Sequence, residues 1–289
     1  MTAACETDGV TDALAFEDLA AEFDGDGISW SVCAVDLSDG TELVAVHSDR
    51  MLSAASIGKV LLLMETARAI DAGELSPDEP LTRELADAVA DSGIWQHLSV
   101  DTLPLDDVAR LVGLASDNWA TNTLLRRVGG IEVVARSASA LGIRDVLLHD
   151  RVRDMRTPDH PTRLSEASAT GLVSLFTRLV RDEDLGHGVG ERVLGWLTGG
   201  LDLGMVAAAF GLDPLAHATP DRGVTVVNKT GTDLGVRADA GWVVGPAGQV
   251  VYACIANWDA AFDGPDPLRD DVLRAMHRLG AALRARVLS

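Results

Sequence analysis

The sequence predicts an α+β fold: a five-stranded antiparallel sheet, covered by helices from both termini, with an all-helical segment inserted into it. Three observations predict this. Two strand-like runs lie near the N-terminus and three near the C-terminus. Residues 51–220 between them read as helix. No repeat, low-complexity tract or linker divides the 289 residues, a length that supports one large core or two closely packed ones.

The elements follow in order. Residues 13–24 have helical periodicity. Residues 28–37 and 41–47 alternate like strands and are joined by the turn Ser38-Asp39-Gly40. Helical patterns then run over 55–72, 80–90, 105–115, 118–127, 131–141, 165–182 and 188–198. Strand character returns at 224–229, 236–244 and 250–257, with Gly245-Pro246-Ala247-Gly248 as the last hairpin turn. Residues 265–286 close the chain as a helix. The simplest packing sets the last strand beside the first. It makes 1–50 and 221–289 a discontinuous sheet domain and 51–220 an insert, with a cleft between them.

Composition limits the partners. The 44 acidic residues against 24 basic ones give a net charge of −20. Such a surface repels phosphate backbones, so neither nucleic acid nor an anionic membrane is an expected partner. No apolar run approaches the roughly 18 residues of a membrane span. The opening MTAACETDGVTDALAFEDL has neither a basic nor an apolar segment, so no signal peptide is expected and a cytoplasmic location is. Cys5, Cys33 and Cys254 form no CxxC pair and meet no histidine cluster. They read as free thiols, and no metal or cofactor is expected.

Lysine occurs twice, at Lys59 and Lys229, among 24 basic residues. A GC-rich genome trades lysine for arginine wherever either will do. The two that persist mark positions where a group able to lose its proton is wanted. Both fall in motifs. In Ser56-Ile57-Gly58-Lys59, one helical turn puts hydroxyl and amine on the same face, so Lys59 can take the proton that makes Ser56 a nucleophile. Ser116-Asp117-Asn118 reads either as ordinary N-cap chemistry or as a proton shuttle (Ser116) beside an amide that binds substrate (Asn118). In Lys229-Thr230-Gly231-Thr232, at a strand end, Lys229 would hold an anion and polarise Ser116, and Gly231 would let a ligand approach the backbone. Arg237 is a candidate carboxylate clamp.

The order S-x-x-K, S-D-N, K-T-G resembles the class A β-lactamases, within the penicillin-recognising serine hydrolases. The resemblance spans about residues 13–286. It includes Ser92-Gly93-Ile94-Trp95-Gln96, similar to the loop flanking the family's cleft, and Asn122 in the SDN helix. It implies an acyl-enzyme on Ser56 with Lys59 as base. Ser116, Asn118, Lys229 and Thr230 would line the cleft, and the backbone N–H groups of Ser56 and Thr232 would form the oxyanion hole. Thr232 and Arg237 would face a substrate carboxylate, and Trp95 is a candidate aromatic gate. The implied partner is a small molecule, a β-lactam or related amide or ester.

One part of the family pattern is missing. Class A enzymes deacylate with a loop glutamate in E-x-x-L-N, and no asparagine occurs here between Asn122 and Asn228. The acids of the corresponding stretch, HDRVRDMRTPDHPTRLSEAS, are Asp150, Asp154, Asp159 and Glu166. Asp150 and Asp154 are the candidate substitute bases; their ordinary role would be pairing with Arg151, Arg153 or Arg156. Glu166 reads as a first-turn helix acid and Asp159 as a turn residue. Acylation without efficient turnover is expected; the alternatives are an esterase or a D-Ala-D-Ala-type peptidase or acyltransferase of the same mechanism, or a non-catalytic penicillin-binding relative.

Overall fold

A computed structural model describes residues 16–262 and 265–289. Cys5 and the first residues of the expected 13–24 helix lie outside them.

The chain begins with helix α1 (Phe16–Leu19) and a 3₁₀ turn, Ala20–Phe23. The hairpin β1 (Ile28–Asp36) and β2 (Glu42–Val46) follows. Then come β3 (Leu52–Ser53), a 3₁₀ turn over Ala55–Gly58, and α2 (Lys59–Asp71). The middle contains β4 (Pro80–Thr82), β5 (Thr102–Pro104), α3 (Leu105–Ala115), α4 (Asn118–Val128) and α5 (Ile131–Ala140). It continues through β6 (Val146–Leu148), β7 (Ser165–Ala167), α6 (Ala169–Arg181), α7 (Val189–Leu197) and a 3₁₀ turn, Val206–Phe210. The chain ends with β8 (Thr225–Asp233), β9 (Val236–Gly245), β10 (Gly248–Trp258) and α8 (Pro267–Leu288).

The main sheet has the order β2-β1-β10-β9-β8 and is antiparallel throughout. Strand alternation sends one set of apolar side chains to each face. Val227, Ala238, Val251 and Ile255 pack against the helices of the insert. Val226, Val243, Tyr252 and Cys254 pack with the 206–210 turn and α8. Cys33 lies opposite Ala253, and Cys254 opposite Val32. The two thiols are therefore one residue out of step and join different cores. Both are buried and free, and burial pushes Cys33 up to about 12.

The insert is not all-helical. Residues 80–90, expected as helix, form β4 and a 3₁₀ turn over Leu85–Asp87, and β4 pairs with β5. Residues 165–167 are β7, which pairs with both β3 and β6; the helix begins only at Ala169, capped by the Ser168 hydroxyl. Glu166 is thus a strand residue and no helix-dipole partner. Short apolar runs do not separate a two- or three-residue strand from a helical turn. No helix among the described residues is long and apolar enough to cross a membrane.

Candidate active site

The turn that carries Ser56 is gripped from two sides. On one, the Ala54 N–H donates to the Ser165 carbonyl (3.2 Å), and the Ser165 hydroxyl donates to the Ala55 carbonyl (2.6 Å). On the other, β8 lies so close that a Cβ on Gly231 would overlap the Ala54 carbonyl oxygen and sit 3.2 Å from the Ser56 nitrogen. The close approach that Gly231 permits is therefore to the protein's own Ser56 turn, not to a ligand. It sets the Ser56 turn against the β8 segment that carries Thr232. Ala55 holds a left-handed φ of 46°, and Ser56 is half-buried on the cleft wall.

Lys59 opens α2 one turn later and is completely buried. Its ammonium donates to the Ser116 carbonyl (2.6 Å), the Ser116 Oγ (3.2 Å) and Asn118 Oδ1 (2.8 Å). Those three bonds use all its protons. Although the spacing predicts Ser56 and Lys59 on one face, none of these bonds is to Ser56. Burial, then the charge of Lys229, push Lys59 well below the ordinary lysine value, with Asp117 opposing.

Ser116 ends α3 in a left-handed conformation (φ 53°), which turns its carbonyl toward Lys59. Its Oγ accepts from Lys59 and, at 3.0 Å, from Lys229. Two ammonium donors occupy both lone pairs, so the hydroxyl proton is free to be donated elsewhere. Lys229 also donates to the Thr230 carbonyl (2.8 Å). Burial brings it down to about 8, while Asp202 and Asp239 hold it up.

Asp117 is the N-cap of α4, as ordinary capping predicts, accepting from Ala120 N–H (2.9 Å). The same buried carboxylate also accepts from the N–H groups of Ile94 and Trp95 (2.7 Å each) and so ties the 90–95 loop to the cleft floor. Asp117→Ala leaves three backbone donors unpaired, two of them buried. It is expected to cost roughly 2–4 kcal/mol, read from denaturant unfolding.

These elements enclose a cleft of about 600 Å³ lined by Ser56, Ser116, Lys229, Thr230 and Thr232 together with Asp91, Ile94, Asp202 and Asn228. Other expected residues lie elsewhere. Trp95 is 0% exposed, its indole N–H bonded to the Val100 carbonyl (3.0 Å); it is a core residue and no gate. Arg237 does not line the cleft. Its guanidinium is held by the carbonyls of Asp233 (3.0 Å) and Val236 (2.7 Å) and lies over the Trp258 ring. Asn118 is occupied by Lys59 and the Ala90 carbonyl (3.3 Å), so it holds the Lys59 ammonium and is absent from the cleft lining.

Neither substitute base is in place. Asp150 is 7% exposed and engaged by Arg153 (2.7 Å) and Arg156 (2.7 Å). Burial raises its pKa, yet those hydrogen bonds win and hold it below the usual carboxylate value. Asp154 caps the Ala90 N–H (2.8 Å), and Glu166 is held by His149 (2.9 Å) and Arg163. Asn122 fixes the same loop through Val152 N–H (2.9 Å) and the Val152 carbonyl (3.0 Å). Among the described residues, the cleft lining takes nothing from 149–166.

Sequence reasoning missed Asp91, Asp202 and Asn228 in the lining. Asn228 had a signal: it directly precedes Lys229 on the same strand. Asp91 and Asp202 sit in loops without periodicity.

Comparison with known proteins identifies relatives of the chain as a whole. The sequence profile of the Beta-lactamase enzyme family matches residues 14–284. A beta-lactamase of Streptomyces albus G is 28% identical over 259 residues, covering 86% of this chain and 77% of the relative. A beta-lactamase from Sphaerobacter thermophilus superposes with a TM-score of 0.78 at 25% identity, over 94% of this chain and 96% of its own. PBP-A gives a TM-score of 0.78 at 21% identity over 94% of both chains. A PBP-A mutant, solved as an acyl-enzyme complex with penicillin G, gives 0.76 at 20% identity, over 94% of this chain and 95% of its own.

Proposed function

Because this chain belongs to the beta-lactamase enzyme family, we propose that it is a serine hydrolase that acylates Ser56 with a β-lactam or a related amide or ester and releases the acyl group slowly. Lys59, in its neutral form, takes the Ser56 proton as Oγ attacks the carbonyl carbon. The N–H groups of Ser56 and Thr232 hold the oxyanion. Ser116 passes its free proton to the leaving nitrogen or oxygen, and Lys229 with Thr230 and Thr232 receives the substrate's anionic group. The reading includes the division of the chain into a sheet unit (1–50 and 221–289) and an insert (51–220) that meet at this cleft.

One observation carries the slow second step. The 149–166 loop supplies no residue to the cleft, and Asp150, Asp154 and Glu166 are all bonded elsewhere. Nothing there positions a water against the ester. Lack of a positioned base costs about 10²–10⁴-fold. For a small ester or a D-Ala-D-Ala-like peptide, Lys59 would serve both steps.

Intact-mass spectrometry after incubation with penicillins and small esters tests this. A persistent penicillin adduct on Ser56 is expected, with esters turned over faster. Asp150→Asn and Asp154→Asn should change deacylation less than about threefold, since neither touches the cleft. Rapid penicillin turnover abolished by either substitution would overturn the reading of the loop.

A further inference from the structure

Behind the cleft strand lies a carboxylate that the chemistry above does not use. Asp239 is 0% exposed and stands opposite Thr230, on β9. Its Oδ1 accepts from Asn228 Nδ2 (2.9 Å) and from the hydroxyl of Tyr252 (3.0 Å). Its Oδ2 accepts from the Ala207 N–H (3.3 Å). Asn228 in turn lines the cleft, and the same Nδ2 reaches the Asp202 carbonyl at 3.5 Å. One buried group thus joins β8, the wall at 200–207 and β10.

We propose that Asp239 is a positioning residue for acylation, holding the cleft strand and the 200–207 wall in register only while its carboxylate is ionised. The inference rests on the acylation of Ser56 proposed above. Its basis is the bonding around the group. An amide N–H, a hydroxyl and a backbone N–H all aim donors at the two oxygens. A proton on Oδ2 would meet the Ala207 N–H, and one on Oδ1 would meet Asn228 and Tyr252. No acceptor waits for it unless a neighbour turns. The protonated form therefore turns the Tyr252 hydroxyl from donor to acceptor, or displaces Asn228 or the Ala207 end of the 200–207 wall.

The charged and titratable groups around it are few. Lys229 comes from β8, Asp202 from the wall, Tyr252 and Cys254 from β10. On α8, Arg284 is turned to the Ala209 carbonyl. Lys229 favours the charged Asp239 and Asp202 opposes it. Burial is the largest influence and lifts Asp239 to about 6, against the donors that hold it down. The folded chain binds this proton more tightly than the unfolded one. Ionised Asp239 thus weakens the fold as pH rises toward about 6, while completing the cleft.

The chain's single tyrosine makes the test direct. With ring-labelled tyrosine, one NMR signal reports the Tyr252–Asp239 bond. It is followed beside the rate of Ser56 labelling by a fluorescent penicillin, from about pH 5 to 8. The signal is expected to step near pH 6, and labelling to fall about tenfold along the same curve as pH drops. Lys59 adds an acid limb of its own, which does not move Tyr252. Asp239→Asn mimics the neutral form: it should show the reduced rate at about pH 8 and lose the Tyr252 step. Wild-type labelling in that variant, or a Tyr252 step without a change in rate, overturns the proposal. If the variant does not fold, coincidence of the two wild-type curves decides. If the wild-type protein labels at no pH, the proposed function fails, and a positioning role in that acylation falls with it.

Discussion

Lys59→Arg is expected to lower acylation of Ser56 by about 10²–10⁴-fold although the positive charge is kept. Lys59 is fully buried and its three protons are held by Ser116 and Asn118. Burial and Lys229 both favour its neutral form. A neutral amine has a lone pair to receive the Ser56 proton; a guanidinium does not part with its charge. The sign of the pH dependence follows. Lys59 is competent above its lowered pKa, so wild-type labelling rises with pH through that value and is lost below it. Labelling by a fluorescent penicillin, with circular dichroism to check folding, measures the effect. Near-normal labelling in Lys59→Arg would remove Lys59 from the mechanism.

Gly231→Ala should damage the same step from the opposite wall. A Cβ at 231 would overlap the Ala54 carbonyl oxygen, a backbone atom that no rotamer change can move aside. Gly231 does not have a left-handed φ, so the effect is one of space alone. Strand β8 and the Ser56 turn must separate, and the N–H groups of Ser56 and Thr232 separate with them. Loss of one oxyanion donor costs about 10²–10³-fold, and overpacking about 1–3 kcal/mol. Labelling rate and unfolding midpoint are both read. Gly25→Ala, where nothing lies within 4 Å, is the control. Labelling of Gly231→Ala within a few-fold of wild type would mean that the turn yields without disturbing the oxyanion hole.

Most of the sheet was legible because period-2 alternation and a Gly-Pro turn mark its strands without reference to tertiary contacts. The chemistry expected of the motifs required Ser56, Ser116 and Lys229 to share one cleft, and all three line it. What failed did so where one residue type serves two environments. Trp95 follows a loop that does flank the cleft, but the two N–H bonds to Asp117 draw its backbone inward and leave Ile94 at the opening. Arg237 sits on the expected strand, yet local carbonyls and Trp258 hold it. Gly231 was assigned to a ligand because a sequence does not say which backbone comes close. Asp239 was visible as a lone acid in the apolar run VRADAGWVV, and strand alternation alone would have placed it on a buried face.

The two lysines have a consequence outside catalysis. Lys59 is 0% exposed and Lys229 2%. Every other basic residue among the 24, histidines aside, is arginine, so the surface carries guanidinium groups and no lysine amine. Reagents that couple to lysine, and enzymes that acetylate or ubiquitinate it, find no side-chain target on the native molecule. Each reaction at Lys59 or Lys229 must wait for the cleft or the whole fold to open. Apart from the chain's α-amino group, amine-directed labelling thus becomes a clock for opening. Immobilisation through lysine would select molecules that have already come apart.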